Sequence, residues 1–204
     1  MSSVPRWLGL PLAALLLVVT VIGVQLAHGG GTYEPLEPAD ACVDRPVTSQ
    51  AVGIEGLAER LVLLGVDDAA CTLGVSREEL TLDIARSTEP TDAEIDALRQ
   101  GLLSAVARMK ADGTLPAASE LVDEALDSAD LNGLLKTAIR ALPDSVIDSA
   151  LKTDDVLVRA VDGLDVRALL DSLDDQGDLE RQVSAAVTQA VKDSLEARLR
   201  SLLP

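Results

Sequence analysis

The sequence has no phenylalanine, one tryptophan (Trp7), one tyrosine (Tyr33), one histidine (His28) and two cysteines, Cys42 and Cys71. Each scarcity excludes something. With no aromatic ring beyond residue 33, the rest of the chain holds no aromatic ligand cage and no platform for stacking bases. Its core must come from Leu, Val, Ile, Ala and Met109, without the large area that rings bury. The single histidine lies at the edge of an apolar run, so no serine has a His partner. A Gly-x-Ser-x-Gly elbow and a phosphate loop are absent. Paired carboxylates stay open on sequence alone, yet sugar sites usually add the rings that are missing here. The expectation is a protein that is not an enzyme and carries no cofactor.

Basic charge is also scarce. All 34 acidic residues fall after residue 30, together with 16 of the 17 basic ones, so that part has a net charge of −18. A field of this sign repels nucleic acid and anionic lipid and favours solubility. No nucleic-acid partner is expected.

What is present begins with a charge-free stretch over residues 8–27, nearly continuous in Leu, Val, Ala and Ile from Leu12 to Val24. Twenty helical residues rise about 30 Å, enough to cross the hydrocarbon core. Pro11 suits a first helical turn. Arg6 and Trp7 sit where a membrane interface would be, and Glu34, Glu37, Asp40 and Asp44 flank the far side before Arg45. The positive-inside rule then puts the N-terminus in the cytoplasm and residues 30–204 outside. The expected organisation is a signal-anchor over 1–28, a Gly/Pro/Glu linker over 29–41 and an acidic helical domain over 42–204. The alternative is a secreted chain cleaved near Gly29, at the small-residue site Ala27-His28-Gly29.

Helical periodicity continues to the C-terminus, and no period-two run long enough for a sheet occurs. The expected helices are 53–64, 68–73, 77–86, 92–112, 116–126, 132–142, 143–151, 154–162, 166–173 and 179–202. Ser76-Arg77-Glu78-Glu79 and Thr91-Asp92-Ala93-Glu94 read as capping boxes, and Pro90 breaks the chain between them. The fold class is all-α: a single transmembrane helix followed by an extracytoplasmic multi-helix bundle. Residues 120–135 repeat weakly as 155–170, pairing Ala125 with Ala160, Asp130 with Asp165 and Leu134-Leu135 with Leu169-Leu170. Two copies indicate similar helix pairs within one bundle rather than a solenoid.

Two cysteines in an exported segment pair most simply as a Cys42–Cys71 disulfide. The spacing is not Cys-x-x-Cys and no His lies near, so a redox or metal pair is not indicated. Asp-rich loops at Ser128-Ala129-Asp130-Leu131-Asn132-Gly133 and at 174–178 lack the Glu that closes a calcium loop at its twelfth position. No metal is expected.

The segment 68–80 resembles the helix-turn-helix of bacterial DNA-binding proteins. Ala70 stands as the small residue of the first helix, Gly74 as the turn, and Leu73, Val75 and Leu80 as the apolar contacts. The resemblance covers about twenty residues and departs at Asp83, where such units carry an apolar residue. It implies a packed helix pair. The would-be recognition helix 77–86 holds three acids and two bases, which cannot neutralise phosphates, so the expected role is structural.

The long helix 179–202 carries Leu179, Val183, Val187, Val191, Leu195 and Leu202 at mostly four-residue steps. It is expected to pack as one stripe, within the bundle or against a protein partner or second copy. The functional expectation is a membrane-anchored structural or interaction module outside the cytoplasm. The alternative is a carrier or sensor domain for a small apolar, acyl-type ligand lodged among Leu, Val and Ala side chains.

Overall fold

The structure, a computed structural model, describes residues 9–28, 37–47, 51–87, 89–128 and 132–202. Arg6 and Trp7, assigned to the membrane interface, lie outside the described residues, as does most of the linker. The chain divides into two units, 1–37 and 38–204.

The first unit contains α1 (Gly9–Ala27). Its side chains are described from Leu15 onward, and the large ones among them are exposed on every face. The Thr20 hydroxyl donates to the Leu16 carbonyl at 2.7 Å, so this polar group is satisfied within the helix. Among the described residues, no helix is long and apolar enough to cross a membrane.

In the second unit the described residues form helices and no strand: α2 (Gly53–Leu73), α3 (Arg77–Arg86), α4 (Asp92–Ala111), α5 (Ala118–Ser128), α6 (Gly133–Arg140), α7 (Asp144–Ala150), α8 (Thr153–Gly163), α9 (Val166–Asp171) and α10 (Gln176–Leu202). The all-α expectation holds. Helix ends shift by up to three residues, and one expected break is absent. The two helices expected over 53–64 and 68–73 are a single helix of 21 residues. Gly65 looks like a breaker in sequence, but here it is the point at which α4 crosses.

α2 and α4 form the most extensive helix pair, and α8 with α10 the next. α4 also meets α8 and α9, while α3 and α5 lie against α2. The core gathers Ala41, Ala69, Ala70, Leu80, Ala97, Leu98 and Val166. Small side chains let the helices approach closely, and dense dispersion contacts stand in for the area that rings would bury. On α4, Ala97, Leu98, Gly101, Ala105, Val106 and Met109 are buried along one face.

Local chemistry sets the helix ends. Gly74 closes α2 in the left-handed region at φ 71°, its N–H donating to the carbonyls of Ala70 and Cys71. Ser76 then accepts the Glu79 N–H at 3.1 Å and opens α3. Thr91 and Glu94 make the full reciprocal box at the start of α4. Thr91 holds the Glu94 carboxyl below its usual range, first through its hydroxyl and then through its backbone N–H. Asp165 caps α9 by accepting the Ala168 N–H at 3.1 Å, as the repeated Asp-x-x-x-Leu-Leu pattern suggests. The two copies of the repeat are α5–α6 and α8–α9, with different surroundings: α8 packs on α10 and α4, whereas α5 packs on α2 and α7.

Candidate functional site

The densest polar chemistry lies where the strap 37–47 meets the C-terminal half of α2. Cys42 and Cys71 are joined at an S–S distance of 2.05 Å, with Cα atoms 4.8 Å apart, so the expected disulfide is present. Next to Cys42, Ala41 is 6% exposed and part of the core, while Cys42 itself is exposed. The Cys42 N–H donates to Asp40 Oδ1 at 2.8 Å and the Val43 N–H to the Asp40 carbonyl at 3.3 Å, giving the strap a tight turn.

Four charges converge beside it. Asp67 is 5% exposed. It accepts from Arg77 Nε at 2.5 Å and from the same guanidinium's Nη2, a two-point grip from α3 onto α2. Arg45 of the strap lies 3.8 Å from Asp67 and donates to Glu78 Oε1 at 3.0 Å and to the Ala39 carbonyl at 3.2 Å. Glu78 is held below the usual carboxylate range by its own backbone N–H and then by Arg45. On the other side, Arg108 of α4 joins Asp44 of the strap at 2.9 Å to Asp68 of α2. Among the described residues, Arg45 Nε and Asp68 Oδ2 are buried and meet no hydrogen-bond partner. Strap, α2, α3 and α4 are thus tied together by one disulfide and three guanidinium groups, those of Arg45, Arg77 and Arg108.

Nothing in sequence spacing announces this cluster. Arg45 and Glu78 stand 33 residues apart, and the pair Asp67-Asp68 reads as the start of a short helix. The missed signal is a charge on the inward face of a helix that runs straight through Gly65. α2 and α3 follow one another through Gly74 and pack together, as a helix pair requires. The first basic side chain of α3, Arg77, is committed to Asp67, while Asp83 is exposed.

A second polar centre joins α8 to α10. Ser194 is 2% exposed, and its hydroxyl donates to Asp155 Oδ2 at 2.7 Å. Asp155 also accepts from Arg159 Nε at 3.0 Å. Arg159 and then Ser194 hold the Asp155 carboxyl below the ordinary aspartate range. Nearby, Lys110 of α4 does the same for Asp154. In sequence, nothing local distinguishes Ser194 from the chain's other serines.

The stripe expected on α10 is only partly covered. Leu179, Val183 and Val191 are half-buried and Val187 and Leu195 exposed, while the most buried of the described positions are Ala190 and Ser194. The reason is geometric. Four-residue steps advance about 400°, so a stripe read at that spacing slips about 40° per step around the helix. From Leu179 to Leu195 it winds through about 160°, which one partner cannot cover. A shallow open groove of about 580 Å³ runs along the outer face of α10, lined by Glu180, Arg181, Ser184, Thr188 and Lys192 among others.

Among the described residues, no group of three His, Cys, Asp or Glu side chains is placed to hold a metal ion. The loop 128–133 lies partly outside the described residues. Ser149 and Lys152 stand at a Ser-x-x-Lys spacing. α7 ends at Ala150 between them, and the Ser149 hydroxyl donates back to the Val146 carbonyl at 2.9 Å. The two are therefore not one turn apart on a single helix. Compared with known proteins, the chain matches no family model, no curated protein and no solved structure.

Proposed function

We propose that this chain is a membrane-tethered, non-catalytic module whose acidic helical domain meets a protein partner outside the cytoplasm. The observation that carries it is the Cys42–Cys71 disulfide. A disulfide fits an oxidising compartment, and this one pins the chain to the domain just after the linker. The charge-free residues 8–27 supply the tether, with Arg6 and Trp7 at its cytoplasmic interface and an acidic flank beyond. A helix apolar on every face is stable when lipid or protein surrounds it. The module's surface is the outer side of α10, where Val187 and Leu195 stay exposed. The reading as a carrier of acyl ligands has less support, because the groove on α10 is open and presents Glu180, Arg181 and Lys192.

The test is topological. A cysteine-free variant carrying Ala138→Cys should react with an impermeant thiol reagent in intact cells. Reaction only after lysis would remove the exported domain from the account. N-terminal sequencing of the extracted protein separates an anchor from a leader, since a chain starting at Gly30 has been cleaved.

A further inference from the structure

The strap 37–47 contains neither helix nor strand, yet it lies over the centre of the fold. Ala41 packs in one cluster with Ala69, Ala70 and Leu80, each of which is at most 1% exposed. The polar ties around it differ greatly in shielding. Asp44 and Glu78 are exposed partners, with side-chain exposures of 88% and 52%. Ion pairs of that kind are weakened by water and salt. The covalent tie is the strong one, and it is reachable: Cys42 is exposed while Cys71 is half-buried.

We propose that the Cys42–Cys71 disulfide is a redox catch. It holds the strap shut over the apolar patch of Ala69, Ala70 and Leu80, and a dithiol reductant opens it. A thiolate of the reductant attacks the accessible Cys42 sulfur, forming a mixed disulfide and expelling the Cys71 thiolate. The reductant's second thiol then displaces Cys42 and closes its own disulfide. Two electrons and two protons pass to the cysteine pair, and the reductant is oxidised by the same amount. Once the bridge is gone, closing the strap costs the ordering entropy of the roughly ten residues between Cys42 and the start of α2 at Gly53, a shift toward open of about a hundredfold in the chain-entropy view. Asp44–Arg108 and Arg45–Glu78 then retain it with the longer Arg45–Asp67 contact at 3.8 Å, and the two exposed pairs weaken as salt rises. The patch uncovered lies on α2 and α3, away from the outer face of α10, so this device is separate from the tether reading.

Limited proteolysis of the full chain in detergent micelles tests it, using a protease specific for aspartate. Asp40 and Asp44 report the strap, and Asp96 in α4 reports global unfolding. After treatment with dithiothreitol, cutting at Asp40 and Asp44 should speed up by at least about tenfold, while the rate at Asp96 stays unchanged. Reoxidation should restore protection, and Cys42→Ser and Cys71→Ser should each behave as the reduced protein does. Equal strap cutting in the two redox states would overturn the proposal. So would parallel acceleration at Asp44 and Asp96, which would make the disulfide a staple of the whole fold. A bridge that resists dithiothreitol until the helices unfold would overturn it as well.

Discussion

A Cβ placed on Gly101 would lie 2.1 Å from the carbonyl oxygen of Gly65. The two glycines mark the point where α2 and α4 cross, and the backbones meet there with no room for a methyl group. Gly101→Ala should destabilise the domain by about 1–3 kcal/mol, since overpacking outweighs the gain of about 1 kcal/mol in helix propensity. Gly163→Ala, in open space at the end of α8, should be neutral or stabilising by a few tenths of a kcal/mol. Denaturant midpoints of the two variants check the contrast. Equal effects would mean that the crossing is looser than described.

On α10 burial differs sharply between neighbouring positions. Val187→Asp, at a position 39% exposed, should shift stability by about 0.5 kcal/mol or less. Ala190→Asp, at 2% exposed, should cost several kcal/mol by burying an unpaired charge, about 3 kcal/mol or more. Thermal melts followed by circular dichroism decide between them. A larger loss at Val187 would restore the winding stripe.

The buried carboxylate Asp67 has Arg77 as its main partner. Asp67→Ala removes the carboxylate and strands the half-buried Arg77 guanidinium, so the cost should be about 3 kcal/mol. The exposed Asp83→Ala serves as a control, expected within about 0.5 kcal/mol of the parent. Urea unfolding with an unchanged slope is the measurement. A loss below about 1 kcal/mol would class the pair with surface bridges.

Asp155 gives a pH signature. Arg159 and Ser194 depress its folded pKa, so its stabilisation is fully present above the unfolded value near ~3.9 and is lost as pH falls through the folded value. Asp155→Asn should therefore lower the melting midpoint at pH 7, with the gap to the parent closing in acid. Solvent at this partly exposed site limits the effect to about 1 kcal/mol or less. A gap independent of pH would show that geometry and not charge is what the residue contributes.

Much of the fold is legible from local signals. Thr91 and Glu94, Ser76, Gly74 and Asp165 each act at the helix ends where their chemistry places them, because capping depends on neighbours within four residues. The disulfide was legible for a different reason: two cysteines allow one pairing. The polar cluster was not. Arg45, Asp67, Arg77 and Arg108 come together only when the strap folds back over α2, and no local pattern encodes that return.

By itself the sequence determined the helical class, the shortage of rings that demands a small-residue core, the acidic field, and the charge-free N-terminal stretch. These follow from composition and short-range periodicity, which act before any long-range contact forms. Only the tertiary structure decided that Gly65 is a crossing point and not a break, that α10 buries Ala190 and Ser194 in place of Val187 and Leu195, and that Ala41 closes over the core. Each depends on which surfaces meet. Helix rotation and crossing are set by packing between distant segments, and a four-residue spacing fixes neither.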